Sequence, residues 1–279
     1  MERIRQAVEQ ARRDRQKSGL SDEPRGALVA RKSSGDVSAR AERDSSEPIS
    51  YDQTQTVEIS ADTKDRNRLV AAIHGHPLQD VYRMLRTRIL QDMRANNWKV
   101  IAVTSPAVGT GKTLTAINLA ISIARDLSHT AILIDGDLRH PSVHKYFDYN
   151  PKYGLNDFLF NNIPIEQALF HPNLDRLTVL PGREPMAQSA EMLASPKIIS
   201  MLREIRSRYT DRIVIVDIAP VLSVDDALAL APNVDCMLIV AEAGQTSRDD
   251  LGRALELLDG IPIIGTVLNK VKKKVNSTY

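Results

Sequence analysis

The stretch Val103–Thr113, VTSPAVGTGKT, decides the fold. It follows the β-branched run KVIAVTS and opens TLTAINLAISIARDL, in which Leu114, Ile117, Ile121 and Ala124 recur at helical spacing. A glycine-rich turn between a strand and a helix is where phosphate is bound, because successive backbone N–H groups and the positive end of the helix dipole converge there. Gly109 and Gly111 let the backbone curl close to an anion. Thr110 and Leu114 complete the cradle, Lys112 supplies a point charge toward β- and γ-phosphates, and Thr113 offers a hydroxyl to Mg2+. The usual pattern, G-x-x-x-x-G-K-[ST], has glycine where Pro106 stands. The stretch is therefore a chance turn, a damaged nucleotide site or the mark of a subclass.

The surroundings favour nucleotide binding. From Trp98 onward, apolar runs alternate with helical patterns: AILIDGD, RIVIVD, CMLIVAE and PIIGTVLN read as strands, SPKIISMLREIRSRY and SRDDLGRALELL as helices. Ser195 is placed to cap its helix, with Pro196 at the first position. Near-continuous apolar strands between helices predict an α/β domain over 97–271, a doubly wound, mostly parallel sheet covered on both faces.

In such a sheet the carboxyl ends of the strands face the ligand crevice. Asp135 ends one apolar run and Asp137 follows it. Two carboxylates there suit a hydrated Mg2+ and an attacking hydroxyl. RIVIVDIAP ends a second strand in Asp217, the position of a Walker B acid. Asp225 and Asp226 read as helix caps for ALALA. His140 and His144 are spaced i, i+4, but an oxygen-donor site accounts for the stretch better than a histidine one.

The remainder of the chain is bounded by composition. Its 279 residues are 42% hydrophobic and 26% charged, with a net charge of +2 that supplies no global attraction for nucleic acid. The lone Cys236 excludes an internal disulfide and fits a reducing cytoplasm. The N-terminal residues have no apolar core of a signal peptide, and no apolar run reaches the ~18 residues of a membrane span, so a cytoplasmic protein is expected. Residues 1–18 read as a short charged helix, and 19–66, rich in Ser, Asp, Glu and Arg, as a disordered linker. Residues 67–96 read as helical, with Leu78, Val81 or Tyr82, Leu85 and Ile89 on one face and Asp80, Arg83 and Arg86 on a charged edge. Residues 272–279 read as a flexible basic tail ending in Tyr279.

Taken together, these motifs resemble the bacterial tyrosine kinases of capsule and exopolysaccharide synthesis, of the CpsD/CapB type. That family's loop, roughly T-S-x-x-P-G-[EA]-G-K-[ST], also lacks glycine at the Pro106 position; here Val108 and Thr110 replace its usual residues. Its D-x-D-x-R matches Asp135, Asp137 and Arg139, and its D-x-x-P matches Asp217 and Pro220. DVYRMLRTRI resembles its oligomerisation helix, with Asp80 for Glu and with Arg83 and Arg86 retained. GTVLN resembles its last strand, which implies Asn269 near the adenine.

The resemblance implies ATP- and Mg2+-dependent autophosphorylation on tyrosine. Lys112, Asp135, Asp137 and Asp217 would carry the chemistry, with Thr113, Asp135 and Asp217 at the metal. It further implies a homo-oligomeric ring and a membrane polysaccharide co-polymerase whose cytoplasmic segment is the partner, placing the chain peripherally at the inner face of the membrane. The tail has one tyrosine, Tyr279, where the family has a cluster. An alternative reading is therefore an ATPase that switches assembly of the membrane partner without phosphorylating tyrosine. A partitioning-type ATPase is a weaker option, because its signature lysine falls at Ala107.

Overall fold

The computed structural model describes residues 54–272. The helix expected over 1–18, the linker as far as residue 53, and Tyr279 lie outside those residues.

Eight strands form one sheet: β1 (Gln55–Thr56), β2 (Val100–Thr104), β3 (Thr130–Asp135), β4 (Phe170–His171), β5 (Leu177–Leu180), β6 (Arg212–Asp217), β7 (Cys236–Glu242) and β8 (Ile263–Asn269). Their spatial order is β1-β4-β5-β3-β6-β2-β7-β8. Every neighbouring pair is parallel except β4–β5. The doubly wound, mostly parallel class expected from the strand–helix alternation is what forms.

Successive side chains of a strand point to opposite faces, and the two cores follow that rule. Ile101 and Val103 of β2 join Leu133, Ile215, Leu238, Ile117 and Ile121 in one cluster. Val100 and Ala102 join Ile132, Val214, Met237, Ile198 and Leu202 in the other. The helix Lys112–Ala124 packs in the first cluster and Pro196–Arg208 in the second. Ser195 caps the latter through its hydroxyl, with Pro196 at the first helical position, as the sequence leads one to expect.

Two expectations need correction. The expected linker does not extend to residue 66. Its last residues form β1 and the helix Ala61–Arg66, capped by the Ser60 hydroxyl, which accepts from Thr63 N at 3.0 Å. The few apolar residues there suffice because they are placed on the domain: Ile59, Leu69, Val70 and Ala71 are buried. Thr63 Oγ1 donates to Asp148 Oδ2 at 2.7 Å, Arg66 pairs with the same carboxylate, and Asn118, inside the Lys112–Ala124 helix, receives Ala71 N at 2.9 Å.

The segment expected to be helical over 67–96 is instead a 3-10 turn at Val70–Ala72 followed by a helix only from Gln79 to Ala95. On that helix Ile89 and Met93 are buried and Tyr82 and Leu85 half-buried, whereas Leu78 and Val81 face outward.

Candidate functional site

Three parallel strands deliver the site. In the ladder Asp135 of β3 is level with Asp217 of β6, and Val103 of β2 is level with Asp217 on its other side. All three strands therefore end together at the carboxyl end of the sheet, where VTSPAVGTGKT leaves β2. After Asp135 the chain turns tightly, and Gly136 N donates to Asp217 O at 2.7 Å. A Cβ at Gly136 would lie 2.8 Å from Val216 Cγ1 and 3.0 Å from Asp217 O, so the close approach of the two strand ends requires glycine.

Gly111 (φ 91°) precedes the Lys112–Ala124 helix without a side-chain cap, and Gly109 (φ 83°) curls the loop before it. The first-turn amides of that helix have no intrahelical acceptor. Lys112 is buried, at 8% exposure, and its ammonium lies 2.8 Å from Asp137 Oδ2 and 3.4 Å from Asp217 Oδ1. Thr113 Oγ1 donates to Asp217 Oδ2 at 2.6 Å. Asp135 Oδ2 accepts from Ser142 N at 2.9 Å and Val143 N at 3.0 Å, while its buried Oδ1 has no hydrogen-bond partner. The structure thus brings Lys112, Thr113, Asp135, Asp137 and Asp217 together.

The electrostatics of this cluster follow from burial. Desolvation, then the Asp217 charge, pushes the Asp135 carboxyl up to about 7. Burial also raises Asp217, although Lys112 and the Thr113 hydroxyl oppose it. For Lys112 burial disfavours the charge, but Asp217 and Asp137 outweigh it and hold the ammonium above its ordinary value. Three carboxylates around one ammonium leave excess negative charge in a dry site. Such an excess favours a bound cation or protonation of one acid.

The Thr113 hydroxyl and the Asp217 and Asp135 carboxylates, the latter with an orphaned oxygen, are the hard oxygen donors that suit Mg2+. Among the described residues no group of three or more His, Cys, Asp or Glu side chains converges as a metal cage. The same residues suit an ion that keeps several waters and takes its remaining ligands from phosphate.

Sequence reading missed one supporting network. Asp225 and Asp226 do not act as side-chain caps. Asp226 is fully buried instead, accepting from Arg139 Nε at 3.1 Å and from Ser189 Oγ at 2.6 Å. Arg139 lies two residues past Asp137, so this network anchors the loop that carries Asp137. Ser189 lies on a five-residue helix in a stretch without apolar period, and nothing local marks it as a partner.

Asn269 ends β8 with its amide nitrogen 2.9 Å from Thr110 O of the loop. On the Gln79–Ala95 helix Arg83 pairs with Asp80 at 3.1 Å in solvent, but Arg86 turns inward and donates to Ser122 O at 3.0 Å. The charged edge is therefore split.

A doubly wound sheet with a phosphate loop after β2 and acids at the ends of β3 and β6 defines a phosphate-loop nucleotide-binding protein. Residues 98–277 match the family described as an AAA domain. The tyrosine-protein kinase YwqD of Bacillus subtilis is 32% identical over 200 residues, 71% of this chain and 83% of that one. The putative tyrosine-protein kinase CapB of Staphylococcus aureus is 26% identical over 212 residues, 74% of this chain and 92% of that one. The kinase domain of Escherichia coli tyrosine kinase ETK superposes with a TM-score of 0.70 at 24% identity, covering 83% of this chain and 94% of that one, a likeness of fold. The chain belongs to the bacterial tyrosine-protein kinases.

Among the described residues no helix is long and apolar enough to cross a membrane.

Proposed function

We propose that this chain transfers the γ-phosphoryl group of ATP to tyrosine, with Tyr279 as acceptor in a neighbouring copy, and so regulates a membrane polysaccharide co-polymerase. The observation that carries the reading is the convergence of Lys112 on Asp137, at 2.8 Å, beside the Thr113–Asp217 pair at the end of β6. The loop amides and Lys112 bind the phosphates; the ammonium, now held by Asp137 and Asp217, finds in them a stronger anionic partner. Thr113, Asp135 and Asp217 are the residues that would hold Mg2+, which when bound neutralises charge on the transferring group.

Asp137, released from Lys112, orients the tyrosine hydroxyl and takes its proton as the phenol oxygen bonds to the γ-phosphorus and the bond to the leaving ADP oxygen breaks. A phenol of pKa ~10 needs positioning more than a strong base. Asp80, Arg83 and Arg86 sit on the helix read as the contact between copies, and a closed heterologous ring presents each tail to its neighbour. Asn269 is read as lying near the adenine.

The test is incubation with ATP and Mg2+ followed by phosphosite mapping, with Lys112→Met as control. Phosphate on Tyr279 that disappears in the control supports the reading. ATP hydrolysis without any phosphotyrosine, even with the co-polymerase cytoplasmic segment present, sinks it. That outcome favours the second reading, an ATP-driven assembly switch, which the single tyrosine among residues 210–279 motivates.

A further inference from the structure

Two consecutive side chains at the end of β8 grip two consecutive carbonyls of the phosphate loop. Asn269 Nδ2 donates to Thr110 O at 2.9 Å, and Lys270 Nζ donates to Gly109 O at 2.7 Å. Lys270 is itself held by Glu242 Oε2 at 3.0 Å. Glu242 ends β7 as the register partner of Asn269, and Ala243 N donates to Asn269 O at 2.9 Å, so the grip is mounted on the sheet rather than on a loose end. Lys270 adopts φ 57°, a left-handed conformation rarely taken by a lysine, at the point where its side chain meets the loop. A Cβ on Gly111 would lie 2.2 Å from Asn269 Nδ2, which measures how closely β8 approaches the loop.

The peptide plane explains what this grip does. In a trans peptide the C=O and the following N–H point in opposite directions. Drawing the Gly109 and Thr110 carbonyls toward β8 therefore turns the Thr110 and Gly111 N–H groups to the other side, where a phosphate-binding concavity needs them. We infer that Asn269 and Lys270 are positioning residues that preorganise the phosphate loop from behind, with Glu242 setting the Lys270 ammonium. The inference rests on the nucleotide-binding reading of the loop and adds to it a determinant of affinity that touches no phosphate itself.

The clamp differs from simple electrostatics in the sign of one effect. Removing the Lys270 charge weakens anion binding on either account. Removing the Glu242 charge strengthens anion binding if long-range attraction governs, but weakens it if Glu242 orients the clamp. The experiment is equilibrium titration of the full chain with a fluorescent N-methylanthraniloyl-ADP and Mg2+, comparing wild type, Lys270→Met, Lys270→Arg and Glu242→Gln, with thermal melting of each.

The expected result is about ten-fold weaker binding in Lys270→Met, the scale of one charge-assisted hydrogen bond. Glu242→Gln weakens binding in the same direction, Lys270→Arg recovers most of the loss, and melting is unchanged. In phosphorylation assays the loss enters KM for ATP, with kcat at saturating ATP preserved. Tighter binding by Glu242→Gln, or equal affinity in all four proteins, overturns the clamp while leaving the nucleotide site standing. Failure of the wild type to bind the nucleotide overturns both.

Discussion

Asp135 and Asp217 stand level with each other at the ends of the adjacent parallel strands β3 and β6, both fully buried. Burial first, and then the like charge of Asp217, disfavour ionisation of Asp135 and push its carboxyl up to about 7. Its folded value lies above the unfolded one, so the folded protein binds more protons between roughly pH 4 and pH 7, and stability falls as pH rises through that window. Asp135→Asn is expected to melt higher than wild type at pH 8, by an amount that shrinks toward pH 5, and to lose phosphotransfer. Melting curves in divalent-free buffer across that range check it; a variant less stable than wild type at pH 8 contradicts it.

Gly111 is constrained twice, by φ 91° and by the Asn269 amide that a Cβ would meet at 2.2 Å. Gly111→Ala is expected to destabilise by about 1–3 kcal/mol and to abolish nucleotide binding. Adding Asn269→Gly removes the clash but not the backbone strain, so the double variant recovers part of the stability. Chemical denaturation of the two singles and the double measures that coupling.

Asp226 is a buried carboxylate whose partners, Arg139 and Ser189, come from distant segments. Asp226→Ala strands the Ser189 hydroxyl and leaves Arg139 only its 3.4 Å pairing with Asp225, an expected cost of roughly 1–3 kcal/mol. Because Arg139 anchors the loop carrying Asp137, kcat falls more than nucleotide affinity does. Denaturation midpoints together with steady-state kinetics separate the two effects.

The segment from β1 to Ala72 is part of the domain rather than a tether. Thr63→Ala removes the 2.7 Å bond to Asp148 and is expected to cost about 1 kcal/mol. A chain begun at residue 73 exposes the apolar surface that Ile59, Leu69 and Val70 cover and is expected to aggregate or to melt far earlier than one begun at residue 54. Calorimetry of the two truncations decides it.

The core of this architecture was legible because its signals are local. A β-branched strand, two glycines, Lys112 and Thr113 are contiguous, and the periodicity of Leu114, Ile117 and Ile121 marks the helix the loop opens. Asp135, Asp137 and Asp217 could be picked out because each lies at or just past the end of an apolar run.

The strap from Gln55 to Ala72 was not legible, since a polar stretch with a few apolar residues at its two ends has no period; its order comes from Asp148, Asn118 and the edge of β4. Asp226 was misread as a cap because capping is a local pattern, whereas its actual partners lie 37 and 87 residues away.

What the sequence alone determined is the class of sheet and the residue types that gather around the glycine-rich loop, because hydrophobic period and loop chemistry act over neighbouring residues. Only the tertiary structure decided which carboxylate Lys112 pairs with, which of two aspartates is buried, and that the end of β8 grips the loop. Those depend on strand order and register, which bring together side chains that chain separation keeps unrelated.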